Sequence, residues 1–311
     1  KKLKVKKILS KKILITGGTG FIGYHLSKKC LRLGWSVTSL SSKYPKKKKK
    51  IKGVNYLVID IRNKKKLSKL KKNFDYIVNL AGYVDHSKKM KTLQSHYNGC
   101  KNLASLFIHK KIQKFIQVGS SIEYGKLKSP QVENKKNNQL TYSVYGKAKL
   151  LSTKFLIGLY EKYCFPVTII RLYLVYGPKQ DINRVIPITI KNALKNKKFD
   201  CSSGRQLRDF IFIDDVINAI IKILKNKKTN GEILNIGSNK PIRIRELIHK
   251  ICYLVGSGRP IFGKILMRKD EIMALYPNTN KAKKILNWRP KISLNIGLKK
   301  TINFYKNENF S

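Results

Sequence analysis

Apolar positions along this chain follow two periods. Short apolar or alternating runs occupy residues 13–16, 35–40, 56–59, 76–80, 115–118 and 167–172, and each predicts a strand. Apolar residues at helical spacing follow them: through Leu26, Cys30 and Leu33, then at 67–70, 92–110 and 142–163. Strands alternating with helices predict an α/β fold, a Rossmann-type, doubly wound parallel sheet. The alternation weakens after Gly177. Helical patterns recur at 185–194, 216–224 and 245–255, strand-like pieces at 210–213 and 234–236, and Pro241, Pro260, Pro277 and Pro290 mark turns. A smaller mixed α/β C-terminal domain is therefore expected. Residues 1–178 would form the dinucleotide-binding domain, 179–311 mainly the substrate-binding domain, and 209–238 would pack back onto the first. Asp214 and Asp215 are expected to cap or support a helix beginning at Val216.

The first apolar run leads into Thr16-Gly17-Gly18-Thr19-Gly20-Phe21-Ile22-Gly23. Three glycines between a strand and a helix have separate uses. One permits the tight turn, one lets a pyrophosphate approach the backbone, and one lets helix and strand pack closely. The helix N-terminus then offers unpaired N–H groups and the positive end of its dipole to phosphates. The strand–turn–helix context makes this a dinucleotide-binding candidate. In such sheets ligands lie beyond the carboxyl ends of the strands, where Ser41, Asp60, Ala81 and Ser120 fall.

With 42% hydrophobic residues the chain can build a globular core. No apolar run reaches the length of a membrane helix, so no membrane partner is expected. Cys30, Cys100, Cys164, Cys201 and Cys252 are scattered, with no metal spacing among them or with the histidines. They point to reduced thiols, a cytoplasmic location and no metal site. A net charge of +52 would suit a nucleic-acid binder. The lysines, however, fill the polar slots of the whole chain and are not interleaved with aromatics in one patch. Weak, salt-sensitive polyanion binding is expected without a specific nucleic-acid partner.

Tyr145 and Lys149 are four residues apart and share one face of the 142–163 helix. An ammonium beside a phenol eases its proton exchange. Ser120, ending the fifth strand, could hydrogen-bond the same substrate oxygen.

Together these marks resemble the extended short-chain dehydrogenase/reductases, in their nucleotide-sugar epimerase, dehydratase and reductase branch. The resemblance spans nearly the whole chain. Beyond the glycine turn it is carried by Asp60-Ile61-Arg62, Asn79-Leu80-Ala81-Gly82, Ser120-Ser121-Ile122-Glu123-Tyr124-Gly125 and Tyr145–Lys149. Further marks are Arg171 to Tyr176-Gly177-Pro178, Arg208-Asp209-Phe210, Asn235-Ile236-Gly237 and Leu286-Asn287-Trp288-Arg289-Pro290. The tail segment Arg268-Lys269-Asp270-Glu271-Ile272-Met273 resembles that of CDP-deoxyhexose reductases of the abequose type.

The resemblance implies roles. Ser120, Tyr145 and Lys149 would be the catalytic Ser, Tyr and Lys. Gly17, Gly20, Phe21, Ile22, Gly23, Ser41, Lys43, Asp60, Ile61, Leu80, Ala81 and Gly82 would line the cofactor, with Tyr145 and Lys149 also touching it. Asp60 would hold the adenine amine. Ser121 would contact the substrate, Arg208 would grip the diphosphate of a nucleotide sugar, and Arg268 would touch its nucleotide. An ion pair with Asp209 or Asp214 is the structural alternative for Arg208. Homodimerisation through helices near Asn98 and Leu150 is also implied.

Departures from the family pattern narrow the expectation. Ser41-Ser42-Lys43 stands where NAD-preferring members carry an acid, which favours NADP(H) while leaving NAD(H) possible. Ser121-Ile122 replaces the Asp-Glu of the 4,6-dehydratases, which disfavours elimination of water. Leu174 replaces an asparagine common in epimerases. Thr153 replaces an acid common eight residues after the catalytic tyrosine. The expected activity is hydride transfer at C4 of a nucleotide-diphosphate sugar, by an NADPH-dependent 4-ketoreductase. A 4-epimerase with retained NAD is the alternative, and a polyanion-binding protein or a non-catalytic cofactor-binding regulator are more distant ones.

Overall fold

The computed structural model describes residues 10–71, 73–83, 88–133, 141, 143–267 and 271–308. Its first half runs β1 (Lys12–Thr16), α1 (Phe21–Arg32), β2 (Ser36–Ser41), β3 (Val54–Val58), α2 (Lys64–Ser68) and β4 (Tyr76–Asn79). Then come α3 (Lys89–Leu93), α4 (Gly99–Ser105), β5 (Lys114–Ser120), α5 (Val144–Tyr163) and β6 (Val167–Leu172). The rest comprises β7 (Leu174–Tyr176), α6 (Val185–Leu194), β8 (Lys198–Cys201), β9 (Leu207–Phe212), α7 (Ile213–Leu224) and β10 (Glu232–Ile236). It ends with β11 (Pro241–Arg243), α8 (Ile244–Val255), β12 (Arg259–Phe262), β13 (Ala274–Leu275), α9 (Asn280–Leu286) and α10 (Leu294–Asn307).

Among the described residues, seven strands form one parallel sheet in the order β10-β6-β5-β4-β1-β2-β3. Its central strands are apolar on both faces because helices cover both. Ile13 and Ile15 point into a core shared with α1, α7 and the C-terminal helices. Leu14 points into the opposite core, with Cys100, Leu103 and Ala104 of α4 and Leu156 and Leu159 of α5. Ile116 and Val118 against Phe115 repeat that alternation in β5.

Strand order reverses beside β1, which opens a crevice at the carboxyl ends of β1 and β4. A buried polar row spans it. Thr16 Oγ1 donates to Asn79 Oδ1 at 2.5 Å, and Asn79 Nδ2 donates to Gln117 Oε1 at 2.7 Å. These bonds tie the ends of β1 and β4 to the middle of β5.

In the C-terminal half, β9 pairs in parallel with β7 and β13 and antiparallel with β11, and β8 pairs with β12. The segment before residue 238 divides its allegiance: β10 joins the large sheet beside β6, whereas β9 lies in the smaller one.

Several boundaries differ from the periodicity. The helix expected over 92–110 begins at Lys89, passes through a π turn at Gln94–Asn98 and ends at Ser105. The helix expected from Val216 starts at Ile213, with Phe212 as N-cap and no side-chain cap. Asp215 does not cap it. Its carboxylate instead accepts the backbone N–H groups of Lys291 and Ile292, each at 2.9 Å, and so fastens the C-terminal segment to α7. Among the described residues no helix is long and apolar enough to cross a membrane. All five cysteines are unpaired, and burial pushes the Cys30 and Cys100 thiols up to about 12.

Candidate functional site

The glycine turn is built by steric exclusion. Gly17 has a φ of +69°, and a Cβ there would stand 3.0 Å from the carbonyl of Leu80, so the backbone after β4 passes directly over it. A Cβ on Gly23 would lie 2.5 Å from Gly17 O and Gly18 Cα, so α1 can leave the turn at this angle only with glycine there. Gly20 is the N-cap of α1, with no side chain over the first helical amides and no acid in the first turn. Phe21 and Ile22 open the helix, half-buried. Helix amides without a side-chain cap at a dipole end, reached over a floor of glycine, suit a pyrophosphate. The residues thus fit a dinucleotide.

Ser41 ends β2, and its hydroxyl lies 3.2 Å from Thr19 Oγ1 of the glycine turn. Lys43 is exposed two residues on. Asp60 accepts Arg62 Nε at 3.0 Å and Nη2 at 2.6 Å, and these bonds hold its carboxyl below the usual carboxylate range. Ser42, Asp60, Arg62, Lys66 and Gln94 line a cleft of about 400 Å³ here. Ile61 is buried, with its carbonyl accepting Asn102 Nδ2 at 3.0 Å. Leu80, Ala81 and Gly82 continue from β4 along the crevice. A Cβ on Gly82 would fall 1.9 Å from His96 Cε1, so this glycine admits the imidazole.

Ser120, Tyr145 and Lys149 come from the end of β5 and the start of α5. Ser143 caps α5, accepting Gly146 N–H at 3.0 Å. A Cβ on Gly146 would be 3.0 Å from Ile122 Cγ2, so glycine brings the first turn of α5 against the 3₁₀ turn Ser121–Tyr124 that follows Ser120. Lys149 is 5% exposed, and its Nζ donates to Val118 O at 2.6 Å. That Nζ is 5.8 Å from the centroid of the Tyr145 ring. His96, from the π turn, meets the same ring edge-on at 5.0 Å. Ser120 Oγ accepts the Ile122 N–H at 3.4 Å, an arrangement that leaves the hydroxyl proton for another acceptor. Ser121 is buried beside it.

Arg208 lies in β9. It is 9% exposed, its Nη1 donates to Leu207 O at 2.8 Å, and it pairs with Glu271. The alternative partners Asp209 and Asp214 are not the ones it uses. Asp209 is fully buried and holds the turn after β10, accepting Ser238 N–H at 2.7 Å and Ser238 Oγ at 2.9 Å. Arg268 lies outside the described residues.

Two groups at this site were not singled out by the sequence pattern. His96 had no ligand-like neighbours in sequence, and only the fold brings it to Tyr145 and Gly82. Glu123 is the other. Its fully buried carboxylate accepts from Ser120 N–H, Thr153 Oγ1 and Arg171 Nε. The Ser-x-x-Glu spacing of a capping box was a readable signal for it.

Residues 13–237 match the model of the NAD dependent epimerase/dehydratase family. CDP-abequose synthase of Salmonella muenchen is 29% identical over 94% of this chain and 98% of its own length. UDP-N-acetyl-alpha-D-glucosaminuronate decarboxylase of Bacillus cytotoxicus is also 29% identical, over 96% of this chain and 98% of its own. Among solved structures, the UDP-glucuronic acid 4-epimerase of Bacillus cereus, in complex with UDP-glucuronic acid and NAD, superposes with a TM-score of 0.86. The two are 27% identical, with 96% of this chain and 99% of that one covered.

Proposed function

The chain belongs to the NAD-dependent epimerase/dehydratase family, an enzyme family acting on nucleotide sugars, and on that premise we propose that it is an NADPH-dependent 4-ketoreductase of a nucleotide-diphosphate sugar. When bound, the nicotinamide supplies the hydride. The protein's residues do the rest. Tyr145 delivers a proton to the C4 oxygen, Ser120 donates its hydroxyl hydrogen bond to that oxygen, and Lys149 holds its ammonium beside the Tyr145 ring. Ser121 contacts the sugar. Arg208 exchanges its pairing with Glu271 for the diphosphate, a ligand that a permanently charged planar fork suits. Arg268 reaches the nucleotide. The observation that carries the reading is the buried Lys149 ammonium, fixed on Val118 O and facing Tyr145 one turn below.

Three features support the choice of cofactor and direction. The end of β2 carries Ser41, Ser42 and Lys43 and no carboxylate, a composition that suits a 2′-phosphate. In the neighbouring cleft Arg62 is paired with Asp60, and Lys66 leaves the lining with a net positive charge. The similarity to CDP-abequose synthase agrees with the resemblance of the 268–273 tail. The second reading, a 4-epimerase with retained NAD, draws on the likeness to the Bacillus cereus 4-epimerase and its bound NAD.

Titration of purified protein with NADPH and with NADH, together with identification of any cofactor carried through purification, separates the two. Free exchange of NADPH with clear preference over NADH is the expected result. Retained NAD without net turnover of added NADPH would transfer the assignment to the epimerase.

A further inference from the structure

We propose that Glu123 is a positioning residue for Ser120, its carboxylate at the 3₁₀ turn both meeting the buried Arg171 and fixing the Ser120 backbone. The proposal rests on the reading of Ser120 as the hydroxyl that meets the substrate oxygen.

Three elements converge on this carboxylate. Oε1 accepts the Ser120 N–H, from the end of β5, at 2.7 Å. Oε2 accepts Arg171 Nε, from β6, at 3.0 Å and Thr153 Oγ1, from α5, at 2.8 Å. Glu123 is 0% exposed and the Arg171 side chain 7%. A buried guanidinium requires a partner, because an unpaired buried charge is strongly destabilising. A carboxylate at position 153 could meet that requirement, since Thr153 Oγ1 already touches the oxygen that Arg171 uses. Position 123 adds Oε1, the oxygen turned to Ser120.

Two further observations tie the carboxylate to Ser120 itself. A Cβ on Gly119 would stand 2.3 Å from Glu123 Oε1, and Gly119 has no positive φ to account for a glycine. The residue before Ser120 is therefore small because the Glu123 carboxylate lies across it. In addition, Ser120 and Glu123 form a reciprocal capping box: Ser120 Oγ takes the Ile122 N–H while Glu123 takes the Ser120 N–H. Both ends of Ser120 are thereby fixed, and its hydroxyl proton is left for another acceptor. Small misplacements of a reacting group cost rate more than affinity, about 100-fold for ~1 Å.

The test exchanges the two side chains, in Glu123→Thr/Thr153→Glu. This variant returns a charge to Arg171 but removes the acceptor of the Ser120 N–H. The expected outcome is recovery of most of the melting temperature lost by Glu123→Thr alone. The Ser120 amide then exchanges its hydrogen at least about tenfold faster than in the wild type. Turnover of a CDP-linked 4-keto-6-deoxyhexose with NADPH, or of UDP-glucose with NAD, falls in kcat by roughly 10- to 100-fold, with KM within about threefold.

Glu123→Gln is the complementary variant. It keeps an acceptor for Ser120 but no charge for Arg171, so it loses more stability and less kcat than the exchange. Activity that simply follows stability across these variants would overturn the proposal, as would a Ser120 amide as protected in the exchanged variant as in the wild type. Should the exchanged variant not fold, exchange of the Ser120 amide in Glu123→Gln accelerated beyond that of its neighbouring β5 amides would also refute it. Melting and hydrogen exchange need no substrate. A fully active Ser120→Ala would instead refute the reading of Ser120 and leave the exchange result standing by itself.

Discussion

Lys114 sets up a test of the energetics, away from the site. It begins β5, is fully buried, and its ammonium donates to Thr229 Oγ1 at 2.9 Å, to Thr168 Oγ1 at 3.4 Å and to Asn230 Oδ1. None of these partners is a carboxylate, and burial lowers its pKa from 10.5 to about 8. The unfolded chain therefore binds this proton more tightly than the folded one. The sign follows: the penalty is fully present below the folded value of about 8 and is relieved as pH rises toward the unfolded value of 10.5, so stability increases over that window. At roughly 1.4 kcal/mol per pH unit the full effect is about 3 kcal/mol, most of it gained between pH 7 and pH 10. The perturbation is Lys114→Met, which fills the same channel with an uncharged chain. It strands no donor, because Thr168 Oγ1 still donates to Thr229 O and Thr229 Oγ1 to Asn226 O. Other lysines and tyrosines titrate alike in both proteins and cancel. Urea unfolding, followed by fluorescence of the buried Trp35 and Trp288, should show the wild type gaining about 2–3 kcal/mol on Lys114→Met between these two pH values. Parallel pH profiles would refute the assignment of a destabilised buried ammonium.

Three shorter predictions address the rest of the molecule. Gly23→Ala should weaken binding of either nicotinamide dinucleotide by at least about tenfold, because its methyl meets the Gly17 backbone; unchanged dissociation constants in a fluorescence titration would contradict this. Arg208→Ala should weaken binding of CDP or UDP by roughly tenfold or more in calorimetry while leaving cofactor affinity intact, and Glu271→Gln, which releases the guanidinium, should not weaken it. Asp215→Ala leaves the Lys291 and Ile292 N–H groups without their acceptor and should cost about 1–3 kcal/mol in urea unfolding; a change of only a few tenths would show the C-terminal segment to be held by its apolar contacts alone.

Local chemistry made much of this protein legible in its sequence. The glycine turn after β1 was readable because a backbone that leaves no room for a Cβ demands glycine whatever surrounds it, as at Gly17 and Gly23. Tyr145 and Lys149 share a helix face because helical spacing alone dictates it. The sheet followed from apolar runs whose alternate residues enter opposite cores, as Leu14 does between Ile13 and Ile15. Tertiary structure decided what depends on residues far apart in the chain. Arg208 finds Glu271, Asp215 finds residues 291–292, and Lys114 finds Thr229, pairings that no local period encodes. His96 reaches Tyr145 because a π turn and Gly82 bring it there. The same holds for Glu123. Its position three residues after Ser120 announces a capping box, but its charge is matched by Arg171 on the next strand and its second oxygen by Thr153 on α5. Periodicity specifies which face of an element is buried, and close packing of those faces then selects which distant polar groups must satisfy one another.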